Sequence, residues 1–114
     1  MSRITTHVLD VALGRPAGGV PISLSHQESG GAWREVGQGE TDADGRLRSL
    51  LAGADTIPTG HYRLTFDVAT YHARVGVDGF FPEVSISFHV RDGEQHYHVP
   101  LLLSPFGYST YRGS

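Results

Sequence analysis

The chain has 114 residues and no cysteine, so a disulfide framework, a thiolate metal site and a cysteine nucleophile are all excluded. Nine basic residues, every one an arginine, stand against twelve acidic ones for a formal net charge of −3. That balance exerts no general pull toward nucleic acid or an anionic membrane, and the absence of lysine rules out Schiff-base or lysine general-base chemistry.

Residues 1–114 read as one domain, within the usual range of about 100–150 residues that can bury its own core. The opening Met-Ser-Arg-Ile-Thr-Thr carries no apolar run of signal-peptide length, and no later window approaches a membrane span, so a soluble cytoplasmic protein is expected. Period-two alternation then dominates, punctuated by glycine and proline, which is the pattern of an antiparallel β-sandwich. A first strand at 4–11 sets Thr5, His7, Leu9 and Val11 on one side and Ile4, Thr6, Val8 and Asp10 on the other; both rows hold aliphatics, so both faces are expected to be covered. After the Gly14-Arg15-Pro16 turn, Val20, Ile22 and Leu24 alternate with Pro21, Ser23 and Ser25. Ser29-Gly30-Gly31 turns into a strand at 32–40, and Asp42-Ala43-Asp44-Gly45 turns into another at 46–51. Tyr62, Leu64, Phe66 and Val68 alternate with Arg63, Thr65 and Asp67, before residues 70–77 break the period as one short helical turn. Val84, Ile86, Phe88 and Val90 alternate with Ser85, Ser87 and His89; Arg91-Asp92-Gly93 turns; strands at 96–104 and 106–112 complete eight. His26, His61, His72 and His89 read as surface residues, and Trp33, Phe80 and Phe81 as core or lid packing.

The strand at 96–104 carries the chemistry. Tyr97, Val99, Leu101 and Leu103 form a core face, while His96, His98, Pro100, Leu102 and Ser104 mix apolar and titratable groups as a subunit interface or a lined pocket does. His96 and His98 sit roughly 6.5–7 Å apart on one strand face. With His7 as a third ligand they are compatible with an open zinc site. They are equally compatible with a metal-free pair in which neutral imidazoles deprotonate and orient a water, or with structural interface histidines. Arg46 and Arg48 share a face beyond the Asp44-Gly45 turn, and periodicity does not separate them. Arg112 can anchor the tail through a carboxylate or carbonyls. Ser109, Thr110 and Ser114 lie in no Gly-x-Ser-x-Gly elbow, which gives a serine nucleophile little support.

Four segments, in order over essentially the whole chain, resemble the 5-hydroxyisourate hydrolases of the transthyretin-like family. They are Thr6-His7-Val8-Leu9-Asp10 with Gly14-Arg15-Pro16-Ala17; Thr41-Asp42-Ala43-Asp44-Gly45-Arg46; Phe80-Phe81-Pro82-Glu83; and His96-Tyr97-His98-Val99-Pro100-Leu101-Leu102-Leu103-Ser104-Pro105 followed by Gly107-Tyr108-Ser109-Thr110-Tyr111-Arg112-Gly113-Ser114. No motif position departs from the pattern. The resemblance implies an all-β, eight-stranded antiparallel transthyretin-like sandwich, assembled as a homotetramer (a dimer of dimers) with sites in the channel where dimers meet. It implies hydrolysis of 5-hydroxyisourate to 2-oxo-4-hydroxy-4-carboxy-5-ureidoimidazoline, in urate degradation, with no metal and no cofactor. Carried onto this chain, the catalytic residues fall on His7, Arg46, His98 and Ser114, and the substrate contacts add Tyr111, Arg112 and Gly113. The resemblance selects Arg46 over Arg48 and makes His96 secondary. Because the same sandwich also serves as a hormone carrier, a non-catalytic binding protein for a planar aromatic ligand is the alternative.

Overall fold

In a computed structural model of the protein, which describes residues 2–51, 53 and 55–114, burial follows the predicted alternation strand by strand. Met1, Ala52 and Ala54 lie outside the described residues. The strands are β1 (Ile4–Asp10), β2 (Arg15–Pro16), β3 (Pro21–Gln27), β4 (Trp33–Glu40), β5 (Arg46–Leu47), β6 (Gly60–Phe66), β7 (Val84–Val90), β8 (Tyr97–Ser104) and β9 (Gly107–Thr110), with helix α1 (Val68–Arg74) between β6 and β7. One sheet runs β2-β1-β8-β9, with β5 also paired to β1; the other runs β4-β3-β6-β7. Their inner rows make one core: Ile4, Val8, Leu101 and Leu103 from the first sheet meet Leu24, Leu64 and Phe66 from the second, each withdrawn from water. Side chains of opposite parity point outward, so every strand with one apolar row is half-specified by the hydrophobic effect alone.

Three features depart from the expected eight antiparallel strands. The described residues hold nine strands, because the Arg15-Pro16 turn pairs with Leu9 and Asp10 as β2. β1 and β8 are parallel, which makes the first sheet mixed; alternation reports faces and is blind to direction. The strand expected at 46–51 shrinks to Arg46–Leu47, since β5 shares one edge of β1 with β2 and Leu50 then drops into the core. The helix begins earlier than expected. Asp67 Oδ1 accepts the Thr70 backbone N–H at 3.1 Å, a carboxylate N-cap that ends the strand and starts α1, while Val68 keeps its place in the buried row.

Two side-chain placements are corrected. His72 is buried rather than on the surface, because α1 turns it inward against Gly79. Phe80 is not core: it is 71% exposed, whereas Phe81 sits edge-on to Tyr108 with ring centroids 5.3 Å apart. Trp33 is half-buried beneath the Arg63 guanidinium, 4.2 Å from the ring centroid. Among the described residues no helix is long and apolar enough to cross a membrane.

One buried polar contact joins the layers. The Tyr71 hydroxyl of α1, which links β6 to β7 of the second sheet, donates to Asp10 Oδ2 of β1 at 2.7 Å, and Asp10 Oδ1 accepts the Leu13 N–H at 2.9 Å. Burial, followed by the bond to Asp10, pushes the Tyr71 phenol up to about 12, so it stays a donor throughout the physiological range. Tyr71→Phe keeps the ring and strands one oxygen of a buried carboxylate; it is expected to cost about 1–3 kcal/mol, read as a lower urea midpoint at unchanged m-value.

Candidate active site

The site is assembled from a turn, two parallel strands and the tail. The turn is fixed by Asp42, whose Oδ1 accepts the N–H groups of Asp44 (2.9 Å) and Arg46 (3.0 Å) while its carbonyl accepts the Gly45 N–H (2.9 Å). These backbone donors, the Arg46 N–H foremost, hold the Asp42 carboxyl below its ordinary range. Gly45 has φ +77°, and any side chain there would run into the Val8 carbonyl and Ala17. That close approach lets Val8 donate to the Gly45 carbonyl at 2.7 Å and sets Arg46 directly opposite His7.

His7 is anchored by the same turn, its Nε2 lying 2.9 Å from the Asp44 carbonyl oxygen. A carbonyl only accepts, so Nε2 carries the proton and the lone pair of the neutral ring is on Nδ1. In β8, His98 stands opposite Thr5, and Pro100 stands opposite His7. Odd residues of β1 and even residues of β8 therefore share the outer face. This juxtaposition accounts for the mixed character of both rows.

The tail crosses the same face. β9 pairs with β8 as far as Thr110 opposite Leu101, and the ladder resumes in the same register at Gly113 opposite His98. The gap falls at Pro100, which has no N–H to give; its carbonyl instead accepts the Thr110 hydroxyl at 2.7 Å. Gly113 then donates to the His98 carbonyl at 2.8 Å. A Cβ at Gly113 would lie 2.7 Å from Cδ2 of His98 and 3.3 Å from Cγ of Pro100, so glycine is what lets the chain pass beneath the imidazole.

Arg46, His98 and Ser114 are thereby brought together in a cleft of about 150 Å³, also lined by Thr5, Thr6, Arg48 and His96. His7 adjoins it on the same sheet face and lies near enough for a proton on either ring to disfavour one on the other. Arg48, passed over in favour of Arg46, lines the cleft as well. Tyr111 and Arg112 are placed elsewhere: they border a groove with Phe88, His89 and Tyr97, where the Arg112 guanidinium lies 4.5 Å over the Tyr97 ring and bonds the Gln95 side chain and the His96 carbonyl. Among the described residues no three His, Asp or Glu side chains converge in a way that could hold a metal ion. A larger hollow on the outside of the other sheet, near Ile22, Gln38 and Glu83, includes the helix-capping Asp67 and no histidine.

The residue that sequence reasoning missed is Thr5. Only 3% exposed, it bonds through Oγ1 to His98 Nδ1 at 2.8 Å and to His96 Nε2 at 3.1 Å. Its parity with His7 was visible; that it faces His98 depends on the parallel register, which was not. No Asp or Glu side chain lines the cleft. Burial, then the Arg46 guanidinium, competition for protons with the neighbouring His7 and His96 rings, and Arg48 push His98 below its ordinary value of 6.5. A neutral imidazole at pH 7 beside fixed guanidinium donors suits proton abstraction from water near a carbonyl that becomes an oxyanion.

Comparison with known proteins gives the same direction. Residues 4–113 match the model of the HIUase/Transthyretin family. The chain is 47% identical to 5-hydroxyisourate hydrolase 2 of Rhizobium meliloti over 116 residues, covering 98% of this chain and 96% of that one. Among solved structures it is similar to Klebsiella pneumoniae 5-hydroxyisourate hydrolase (TM-score 0.84, 37% identity, 100% of this chain and 94% of that one). It is also similar to sea bream transthyretin in complex with thyroxine (TM-score 0.90, 33% identity, 97% and 94%). With the match running from the first strand to the tail, the chain belongs to the HIUase/Transthyretin family.

Proposed function

We propose that this protein hydrolyses 5-hydroxyisourate at its six-ring lactam, giving 2-oxo-4-hydroxy-4-carboxy-5-ureidoimidazoline in urate degradation. Fold does not decide between hydrolase and carrier, because the likeness to a thyroxine-bound transthyretin is as strong as that to a hydrolase. The observation that carries the reading is His98, its pKa depressed, meeting Arg46 and Ser114 in one cleft with His7 alongside. The full-length hydrolase relatives support it.

In this reading a water held between His7 and His98 loses a proton to one imidazole as its oxygen adds to the lactam carbonyl. Arg46 donates to the developing oxyanion, and collapse breaks the C–N bond as the imidazolium returns the proton to the leaving nitrogen. Water is the only co-reactant, and the bonds made and broken balance without a redox or group-transfer cofactor. Ser114 orients a histidine or a ring nitrogen of the substrate, and Gly113 sets it there. General-base catalysis of this kind contributes about 10²–10⁴-fold.

The active form is a homotetramer. A cleft of about 150 Å³ is half of what a bicyclic substrate requires by ordinary pocket sizes, so a second copy supplies the other wall. Val11 (54% exposed), Leu13 (49%) and Phe106 (76%) flank this sheet at the β1 end and the β8–β9 hairpin, apolar surface that a lone chain leaves in water.

With substrate generated in place by urate oxidase, the protein should accelerate the ultraviolet decay of 5-hydroxyisourate, and a chelator should leave that acceleration intact. No acceleration would favour a carrier; loss with chelator would favour zinc. His98→Ala and His7→Ala should each lower turnover by at least about 10², with His96→Ala much milder. A His96 variant more damaged than the His98 variant would reverse the assignment. The pH dependence follows from the sign of the His98 shift. Because the ring is driven below 6.5, the base form persists past the point where a free imidazole is half protonated, so the acid limb of kcat/KM should fall below 6.5. Phe106→Asp should give smaller sedimenting species and lose activity together; a fully active monomer would remove the shared channel.

A further inference from the structure

We infer that Thr5 is a positioning residue, whose single hydroxyl proton links His96 to His98 and holds His98 with its proton on Nδ1, leaving Nε2 free as the base. The catalytic meaning of this arrangement rests on the hydrolase reading; the arrangement itself does not.

The reasoning is a count of donors. Thr5 Oγ1 has two ring-nitrogen partners, His98 Nδ1 at 2.8 Å and His96 Nε2 at 3.1 Å. A hydroxyl offers one proton, so it donates to one nitrogen and accepts from the other. If both rings donated, the hydroxyl proton would be left without an acceptor at a side chain 3% exposed, which is unfavourable. Two arrangements remain. In the first, Thr5 donates to His96 Nε2 and accepts from His98 Nδ1–H. In the second, Thr5 donates to His98 Nδ1, His96 donates to Thr5, and the proton of His98 sits on Nε2.

Only the first suits a base acting through Nε2. Proton uptake there yields an imidazolium whose Nδ1–H already points at Thr5 Oγ1, so neither Thr5 nor the ring must move during reaction. In the second arrangement Nε2 is blocked, and Thr5 must turn before His98 can take a proton at all. The surroundings fix the ring in either case. Gly113 passes beneath it, its N–H bonded to the His98 carbonyl, and the His96 ring is nearly parallel, 12° between planes and 6.5 Å between centroids. His7 is fixed separately with its proton on Nε2 by the Asp44 carbonyl, so the two histidines present different free nitrogens, Nδ1 of His7 and Nε2 of His98. His96 thereby gains a role as the acceptor that holds the Thr5 proton away from His98.

Two variants and one spectrum test this. Long-range ¹H–¹⁵N correlation on histidine-labelled wild-type protein at pH 7.5 should show His98 protonated on Nδ1 and bare at Nε2; the opposite tautomer overturns the proposal without any mutation. Thr5→Val, nearly isosteric but without the hydroxyl, should lose the single tautomer and lower kcat by about 10–100-fold with KM little changed, by analogy with partners that fix the tautomer of a metal-ligating histidine through its other ring nitrogen. Thr5→Ser, which restores the hydroxyl, should recover both the tautomer and the rate. A Thr5→Val protein retaining the Nδ1–H form and full turnover would sink the assignment. An inactive wild-type protein would instead count against the hydrolase reading, and the wild-type spectrum would still decide the role of Thr5.

Discussion

Seven residues of β1 lie in parallel register with seven of β8, from Ile4 beside Tyr97 to Asp10 beside Leu103. The candidate site follows from that pairing. It puts Thr5 against His98, and it carries His7 to the same face. β5 then brings Arg46 to the free edge of β1, and β9 brings Gly113 and Ser114 to β8. A slip of β1 by one residue would send Thr5 and His7 to the face opposite His98. The buried Ile4, Val8, Leu101 and Leu103 rows prevent that slip, because it would expose the apolar interior to water. Core packing is thus what holds the polar face in register.

The charges of the cleft serve two ends at once. In the proposed mechanism Arg46 offers donors to the substrate's carbonyl oxygens, and the positive field of Arg46 and Arg48, adding to burial, disfavours protonation of His98. The neutral imidazole and the anion-stabilising fork are therefore mutually supporting. Asp42, four residues before Arg46, has its Oδ1 occupied by backbone N–H groups of the turn.

How much of this could be read from residues alone divides along physical lines. Faces were legible, since Tyr62, Leu64, Phe66 and Val68, or Tyr97, Val99, Leu101 and Leu103, need only a period of two to declare their burial. Turns were legible from Asp42 and Gly45. Strand direction and register were not, because nothing in the alternation of β1 or β8 states which strand it will lie beside or which way. Thr5 went unnoticed for that reason. His72 misled for another: it sits near the end of a seven-residue helix too short to show a 3.6 period, so its inward face could not be predicted. The site motif itself was legible only through the family resemblance, for two histidines spaced by one residue have several chemical readings.

Consider finally the distance along the chain between partners. Thr5 and His98 are 93 residues apart in sequence, yet adjacent in space. Contacts of such range form slowly, since the entropy of closing the loop must be met before any of them is rewarded. β1 leaves the ribosome long before its neighbour β8 exists, and until then its row of Thr5, His7 and Leu9 has no lateral companion on that side. Ser114, farther along still, arrives after β8. The juxtaposition of Thr5 with His98 is consequently a property of the folded pairing of β1 with β8 and of no isolated segment of the chain.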